Sequence, residues 1–258
     1  MYTLGIDIGS TTSKCVILED GKTIVAKSLV TAGTGTKGPQ MAYEEVLQTA
    51  GLKEEDIAYT IATGYGRNTY AKKDGDVSEL SCHAKGVYYM KPECRTIIDI
   101  GGQDAKVIKL GNNGIISDFV MNDKCAAGTG RFLDVMANIL QLKVSELEEY
   151  ALRSQNPVKI SSTCTVFAES EVISQLSQNV DLNDLVAGIC NSVASRVTAL
   201  AKRNGIQDVV CMSGGVAQNG GVRTALAREL QTEVLEVEDA QYMGALGAAI
   251  AAWEKSKP

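Results

Sequence analysis

Several residue types and patterns that often define a function are scarce or missing in this chain of 258 residues. It has one histidine, His83, so a histidine dyad or a histidine-based metal site has no second member. We therefore expect His83 to be structural. The seven cysteines include no Cys-x-x-Cys pair, which leaves a self-contained zinc or ferredoxin-type site without support. The phosphate-binding pattern Gly-x-x-x-x-Gly-Lys-Ser/Thr is also missing, which excludes a P-loop enzyme.

Strong charge and long apolar runs are lacking as well. The formal net charge is −6 and lysine and arginine are scattered, which argues against nucleic acid or an anionic membrane as the main partner. The apolar run Gly244 to Trp253 is only ten residues long, too short to span a bilayer. Met1 leads straight into a predicted strand, so no signal peptide is apparent, and a disulfide framework is not expected. We expect a cytoplasmic protein with no nucleic-acid or membrane partner.

A segment near the N-terminus is repeated later in the chain. Leu4-Gly5-Ile6-Asp7-Ile8-Gly9-Ser10-Thr11-Thr12 is echoed by Ile97-Ile98-Asp99-Ile100-Gly101-Gly102-Gln103-Asp104. An offset of 92 residues carries Asp7 onto Asp99, Gly9 onto Gly101 and Lys14 onto Lys106. Each copy has the pattern of an apolar strand, a tight polar loop and a second strand, followed by turn residues and a third strand. Repetition at a constant offset predicts two related hairpins.

Two such hairpins would bind a polyphosphate from both sides. Glycines let the backbone approach the phosphates, hydroxyls donate hydrogen bonds, and carboxylates position a divalent cation. The predicted phosphate-binding residues are Gly9, Ser10, Thr11, Thr12 and Lys14 in the first copy and Gly101, Gly102 and Gln103 in the second. The candidate catalytic residues are Asp7, Asp99 and Asp104, with Asp7 and Asp104 preferred as Mg²⁺ ligands. The sequence does not decide which carboxylate orients the attacking water.

A third segment, Met212-Ser213-Gly214-Gly215-Val216-Ala217-Gln218-Asn219, has the pattern of a buried strand that ends in two glycines before a helix. This arrangement brings backbone and a helix N-terminus to a ligand, although alone it is more typical of a tight turn. Together with the two hairpins, we interpret it as an adenosine-binding loop. Its predicted contacts are Gly214, Gly215, Val216 and Asn219.

Strand triplets followed by helices occur twice, which indicates two α/β lobes around a nucleotide cleft. We expect a first lobe over residues 1–94 and a second over residues 95–238. The C-terminal segment, residues 239–258, is rich in alanine and glycine and is expected to pack back on the first lobe as a helix.

In the order of these three segments, the chain resembles the superfamily of acetate and sugar kinases, heat-shock chaperones and actin. The resemblance implies two actin-like (ribonuclease H-like) α/β lobes related by internal duplication. Two further segments resemble, more specifically, the activator component of 2-hydroxyacyl-CoA dehydratases. They are Asn122-Asp123-Lys124-Cys125-Ala126-Ala127-Gly128-Thr129-Gly130-Arg131-Phe132-Leu133-Asp134 and Ile160-Ser161-Ser162-Thr163-Cys164-Thr165-Val166-Phe167-Ala168-Glu169-Ser170-Glu171. Members of that family are ATP-driven reductases with one [4Fe–4S] cluster at a homodimer interface.

The resemblance implies that Cys125 and Cys164 from each of two subunits ligate this cluster, and that Gly128 and Gly130 touch the nucleotide. It also implies an iron–sulfur dehydratase as partner and a ferredoxin or flavodoxin as electron donor. On this basis we predict an oxygen-sensitive homodimeric ATPase, binding ATP or ADP with Mg²⁺, that passes single electrons to a separate 2-hydroxyacyl-CoA dehydratase.

The local sequence around the two cysteines agrees with a cluster site. Each precedes a predicted amphipathic helix, residues 129–142 and 165–178, whose N-terminus would stabilise a thiolate. Small neighbours, among them Ser162 and Thr163, leave room and offer donors to cluster sulfur. Because phosphate-contacting glycines and Cys125 share one segment, we hypothesise that hydrolysis moves the helices behind the cysteines. We expect four other cysteines in the core, Cys15, Cys94, Cys190 and Cys211, while Cys82 is undecided.

Two alternative functions stay open. A small-molecule, sugar-type kinase of the same superfamily would need a carboxylate base beside an acceptor pocket and would not need Cys125 or Cys164. An ATP-controlled scaffold of the actin or chaperone type would perform no redox chemistry, but the chain is short for that role. Within the leading interpretation, the partner could be another iron–sulfur reductase, and the acyl-CoA is not identified.

Overall fold

The computed structural model describes residues 1–161 and 164–257. These residues form two compact units. The first unit comprises Met1–Glu93, Leu110–Ile116 and the residues from Glu238 onward, and the second comprises Cys94–Lys109 and Ser117–Val237. Within the described residues, no helix combines the length and the apolar character needed to cross a membrane.

Ten strands and eight α-helices are formed by the described residues, with short 3₁₀ turns between them. The strands are β1 Tyr2–Ile8, β2 Ser13–Glu19, β3 Thr23–Val30, β4 Ile57–Thr63, β5 Gly75–Asp76, β6 Thr96–Ile100, β7 Ala105–Leu110, β8 Ile116–Asn122, β9 Val210–Ser213 and β10 Val234–Glu236. The helices are α1 Gly38–Ala50, α2 Glu79–Met90, α3 Gly130–Leu140, α4 Leu147–Arg153, α5 Thr165–Ser177, α6 Leu182–Asn204, α7 Gly220–Leu230 and α8 Met243–Ser256.

The two sheets have the same strand order. In the first sheet the order is β3-β2-β1-β4-β5, and in the second, read from the opposite edge, it is β8-β7-β6-β9-β10. The first strand of each copy, β1 or β6, is antiparallel to the next strand of its hairpin and parallel to the strand on its other side, β4 or β9. This repeated 3-2-1-4-5 topology confirms the predicted α/β class and the internal duplication.

Local sequence signals account for the ends of several helices. Pro39 stands in the first turn of α1, and Gly51 ends the helix in the left-handed conformation at φ 67°. The hydroxyl of Ser78 caps α2 by accepting from the backbone N–H of Ser81 at 3.2 Å. The helix predicted over residues 129–142 ends earlier, at Leu140, because Gln141 adopts a left-handed conformation at φ 56°.

Helix α8 packs against α2, β1 and β4 in the first unit. The C-terminal segment, predicted to be helical from residue 239, forms a 3₁₀ turn over residues 240–242, and the α-helix starts at Met243. Glycines permit the close contact with α2. A Cβ atom on Gly247 would lie 1.8 Å from the carbonyl oxygen of Cys82, and one on Gly86 would lie 2.1 Å from the carbonyl oxygen of Met243. The glycine content of the C-terminal helix is therefore a packing requirement.

We predict that Gly247→Ala destabilises the protein by about 2 kcal/mol or more, because the added methyl group meets a backbone carbonyl that cannot rotate away. In an unhindered helix the same change stabilises by up to about 1 kcal/mol, so the sign is diagnostic. Denaturant unfolding measures the difference. Gly111→Ala is the matched control, since its Cβ would meet only the Ile115 carbonyl oxygen at 3.6 Å. A neutral or stabilising Gly247→Ala would contradict the packing described here.

Candidate functional site

The first hairpin loop lies between β1 and β2 and is closed by a backbone hydrogen bond. The Gly9 N–H donates to the Thr12 carbonyl oxygen at 3.0 Å. One residue pair back from the loop ends, Asp7 lies directly across from Lys14 in the antiparallel register. The Lys14 ammonium contacts Asp7 Oδ2 at 3.2 Å, and the Asp7 side chain is buried. The residues predicted in the first copy therefore lie close together. Gly9–Thr12 form the turn, and Asp7 and Lys14 form the residue pair beside it.

The second hairpin loop repeats this geometry. The Gly101 N–H donates to the Asp104 carbonyl oxygen at 2.9 Å, and Asp99 lies across from Lys106. The Lys106 ammonium contacts Asp99 Oδ2 at 3.3 Å. It also contacts Asp104 Oδ2 at 2.7 Å. The first loop has no equivalent ion pair, because the residue that corresponds to Asp104 is Thr12. The second hairpin therefore places two carboxylates against one ammonium group.

A glycine approaches each buried aspartate from the neighbouring parallel strand. Gly64 follows β4 with φ +82°, and a Cβ there would lie 2.4 Å from Asp7 Oδ1. Gly214 follows β9 with φ +84°, and a Cβ there would lie 2.9 Å from Asp99 Oδ1. Left-handed backbone and the close approach both require glycine at these positions. The duplication thus extends beyond the hairpins to the glycine after the parallel strand, although the 92-residue offset does not align Gly64 with Gly214.

The three candidate carboxylates differ in accessibility. Asp99 Oδ1 accepts a hydrogen bond from the Ser213 hydroxyl at 2.8 Å, and its Oδ2 faces Lys106. Both oxygens of this buried side chain are therefore engaged within the protein. The Asp104 side chain is 26% exposed, compared with 2% for Asp99. Of the two carboxylates in the second hairpin, Asp104 is the one placed to meet a ligand or a cation from solvent.

The predicted adenosine loop follows β9 and leads into α7. Gly215–Gln218 form a 3₁₀ turn, and Asn219 caps α7 by accepting the Val222 N–H on its side-chain oxygen at 3.0 Å. The Asn219 side-chain amide nitrogen is buried and has no hydrogen-bond partner among the described residues. This donor is available to a ligand that enters beside the loop.

Helix α3 begins directly on the second hairpin loop. The Gly130 N–H donates to the Gly101 carbonyl oxygen at 2.9 Å, and the Arg131 N–H donates to the Gly102 carbonyl oxygen at 2.8 Å. A Cβ on Gly130 would lie 3.1 Å from the Gly101 oxygen and 3.5 Å from Val216 Cγ2. The structure therefore brings Gly101, Gly102, Gly130 and Val216 together. Gly128 points elsewhere, since its Cβ would meet Arg196 on α6 at 3.2 Å.

The seven cysteines separate into two groups by burial. Cys125 and Cys164 are exposed, and the other five, Cys15, Cys82, Cys94, Cys190 and Cys211, are buried. Burial raises the pKa of Cys82 and of Cys190 to about 12, so these thiols stay protonated and weakly reactive at neutral pH. The four cysteines expected in the core are confirmed there, and the undecided Cys82 joins them. The two exposed thiols are those that the family resemblance nominates as cluster ligands.

The two exposed cysteines differ in their position relative to the helix that follows each of them. Cys164 is the N-cap residue of α5 and lies directly before that helix, as predicted. Cys125 is separated from α3 by the turn Ala126–Thr129, and the first two N–H groups of α3 already bind hairpin carbonyls. Of these two thiols, Cys164 is the one that the described residues place directly at a helix N-terminus. Ser162 and Thr163, predicted to donate to cluster sulfur, lie outside the described residues.

The segment before Cys164 is attached to α5 and α6. Glu171 Oε1 accepts from both the backbone N–H and the hydroxyl of Ser161, each at 2.9 Å. Further back, the Val158 N–H donates to the Asp184 carbonyl oxygen at 3.0 Å. Helix α5 in turn packs against α3, so the helices that follow the two exposed cysteines contact each other in the second unit.

Sequence reasoning missed Lys106, Ser213 and Gly64 as members of the two aspartate clusters. The offset of 92 residues pairs Lys106 with Lys14, so the repeat itself could have identified Lys106 as a site residue. For Ser213 and Gly64 no such signal exists, because their contacts depend on the parallel pairing of β4 and β9 with distant strands.

We predict that only the exposed thiols react in the native iron-free protein. Iodoacetamide should label two cysteines, Cys125 and Cys164, in the folded chain and all seven after unfolding in guanidinium. Mass spectrometry of the intact and digested protein counts and locates the labels. Rapid native labelling of Cys82 or Cys190 would contradict the burial described here.

Comparison with known proteins gives consistent similarity along the chain. It is 61% identical over 257 residues to the (R)-2-hydroxyglutaryl-CoA dehydratase activating ATPase of Acidaminococcus fermentans, covering 99% of this chain and 98% of that protein. It is 58% identical over 257 residues to the 2-hydroxyisocaproyl-CoA dehydratase activator of Clostridioides difficile, covering 100% and 97%. The solved structure of the activator of the 2-hydroxyisocaproyl-CoA dehydratase from Clostridium difficile, with bound ADPNP, superimposes with a TM-score of 0.98 at 58% identity, covering 100% of this chain and 96% of that one.

The sequence model of one family matches residues 4–252, which is nearly the whole chain. The match includes both hairpins, both exposed cysteines and the loop after β9. With the relatives above, it shows that the protein belongs to the BadF/BadG/BcrA/BcrD ATPase family.

Proposed function

We propose that this protein is the ATP-hydrolysing activator of a 2-hydroxyacyl-CoA dehydratase, to which it delivers single electrons. The observation that carries the proposal is its full-length similarity, at 58% and 61% identity, to proteins named as activators of such dehydratases. Those named activators serve different acyl-CoA dehydratases, so the proposal specifies the 2-hydroxyacyl-CoA class and leaves the acyl chain open.

For the nucleotide, we propose that the hairpin of each unit binds phosphate oxygens of ATP. The loops Gly9–Thr12 and Gly101–Asp104 have the same closed turn, and each lies beside a buried carboxylate–lysine pair. One relative of known structure, at 58% identity, was solved with bound ADPNP, an ATP analogue. Gly214, Gly215, Val216 and Asn219 would contact the nucleoside, with the unpartnered Asn219 amide as a donor.

Carboxylate oxygens are suitable ligands for Mg²⁺, and the partly exposed Asp104 side chain supplies them in the second hairpin. Asp7 would do the same in the first hairpin, where its Oδ2 also contacts Lys14. We propose Asp104, rather than Asp99, as the residue that orients the attacking water, because both Asp99 oxygens are engaged inside the protein.

For electron transfer, we propose a [4Fe–4S] cluster held by Cys125 and Cys164 of each of two subunits. The cluster, when bound, supplies one-electron transfer at low potential. The donor set fits, because thiols must be accessible to bind a shared group and these two are the exposed ones. Two thiols are half of a four-thiolate site, so a symmetric dimer would complete it.

Exposed apolar side chains beside Cys164 support an interface there. Val166 and Phe167, in the first turn of α5, are 65% and 69% exposed, and Ile173 on the same helix is 51% exposed. Large apolar side chains grouped on one element mark protein–protein contact surfaces more often than free surface. We propose that these residues contact the second subunit or the dehydratase. As the electron donor, we propose a ferredoxin or flavodoxin.

Contacts inside the second unit support a coupling between the phosphate-binding loop and the cysteines. The Gly101 and Gly102 carbonyls accept hydrogen bonds from the start of α3, and α3 follows the Cys125 segment and packs on α5. We propose that a change in the phosphate-binding loop displaces α3 and, with it, the surroundings of both cysteines.

We predict about four iron and four acid-labile sulfide per dimer in protein purified without oxygen. Cys125→Ala and Cys164→Ala should each abolish this content, whereas Cys190→Ala, a buried control, should keep it. Iron and sulfide assays with size-exclusion chromatography make the measurement. Metal-free wild-type protein that still hydrolyses ATP would refute the redox proposal and favour a small-molecule kinase.

We predict that Asp104→Asn abolishes ATP-dependent electron transfer, by about 100-fold or more, while the iron content is unchanged. The amide cannot replace a carboxylate that holds a cation or orients water. Dehydratase activation under a chemical reductant and ATP is the readout, with visible absorption for the cluster. Asp20→Asn, at an exposed turn, is the control and should behave as wild type. Loss of the cluster in Asp104→Asn would count against this role.

A further inference from the structure

The Lys106 ammonium group has no role in the function proposed above. It lies on β7 with its side chain 2% exposed, among the largest buried side chains of the second unit. It contacts Asp104 Oδ2 at 2.7 Å and Asp99 Oδ2 at 3.3 Å. A buried ammonium is retained only where such partners compensate its lost hydration. Its position between a fully buried carboxylate and a partly exposed one suggests that it acts through the exposed one.

Lys14 provides an internal comparison. It occupies the equivalent position in the first hairpin, but its side chain is 15% exposed and its ion-pair partner among the described residues is Asp7, at 3.2 Å. The residue that corresponds to Asp104 is Thr12, so this loop lacks a second carboxylate. The first hairpin is thus electrically balanced, whereas the second carries one excess negative charge. Equivalent lysines therefore have different surroundings.

Both oxygens of the Asp104 carboxylate have defined positions. Oδ2 faces the Lys106 ammonium, and Oδ1 lies over Gly101, where a Cβ atom would be only 2.4 Å away. The carboxylate therefore lies over the loop backbone. The missing side chain of Gly101 leaves space for it, and the ion pair with Lys106 orients it. The nearby Asp99 is held in turn by Lys106 and by the Ser213 hydroxyl.

We infer that Lys106 is a positioning residue that fixes the Asp104 carboxylate over the second phosphate loop, whereas Lys14 binds the phosphates directly. The inference rests on the proposed ATP hydrolysis and assigns a residue that acts through Asp104. Loss of Lys106 would then impair turnover of bound ATP, and loss of Lys14 would impair binding. Displacement of a catalytic carboxylate by about 1 Å can lower the rate of the catalysed step about 100-fold.

The test compares Lys106→Met with Lys14→Met in the full-length protein with its cluster, without dehydratase. Steady-state ATP hydrolysis gives kcat and KM, and calorimetry gives the affinity for ADP, a readout independent of turnover. Lys106→Met should lower kcat about 100-fold and leave KM and ADP affinity within about threefold. Lys14→Met should weaken ADP binding and raise KM by about tenfold or more. Lys106→Arg, which keeps the charge, should recover part of kcat.

A double-mutant cycle tests whether Lys106 acts through Asp104. The kcat of Asp104→Asn/Lys106→Met should equal that of Asp104→Asn alone, because the lysine then has no catalytic carboxylate to orient. Should thermal melting show that Lys106→Met is unfolded, the same cycle with Lys106→Arg decides. Multiplicative losses, or a Lys106 variant that weakens ADP binding with kcat retained, would overturn the inference. A wild-type protein that hydrolyses no ATP would instead refute the proposed function.

Discussion

Each unit depends on a buried aspartate at the end of its first strand, paired with a lysine on the next strand. As whole residues, Asp7 and Asp99 are 3% and 1% exposed, and a carboxylate removed from water to that degree needs a compensating cation. Lys14 and Lys106 supply it at 3.2 and 3.3 Å. Removing one partner of such a pair costs about 3–5 kcal/mol, because a buried charge is left uncompensated. The ion pairs therefore stabilise the two strand pairs directly before the loops.

Close backbone approach is the second consequence of these buried carboxylates. Gly64 and Gly214 come within contact of the aspartates from the parallel strands, and Gly130 brings α3 onto the second loop. At each point a methyl group would meet an oxygen atom at 3.1 Å or less. In the second unit, Gly214 and Gly130 thus allow a strand end and a helix start to converge on the hairpin Asp99–Asp104. The same convergence joins the phosphate loop to the helix behind Cys125.

Much of the site could be predicted from sequence because its key elements are local. A strand, a four-residue turn and a second strand are contiguous, so the repeat revealed both hairpins and their carboxylates. The exposed positions of Cys125 and Cys164 agree with the family resemblance that singled them out. Helix positions relative to the cysteines were less predictable. The turn Ala126–Thr129 separates Cys125 from α3, and the first two N–H groups of that helix bind hairpin carbonyls.

The sequence by itself determined the duplicated hairpins, the α/β class and the separation of two segment-specific cysteines from four expected in the core, whereas burial of Cys82 was decided by the structure. Periodicity, turn residues and repetition encode these features within short stretches of chain. Only the tertiary structure decided which carboxylate is accessible, that Lys106 lies between Asp99 and Asp104, and that Ser213 and Gly214 close on Asp99. The contact between Ser213 and Asp99 joins strands whose residues are 114 positions apart in the chain. Local sequence patterns carry no record of such pairings, since burial and parallel register arise when the sheet assembles.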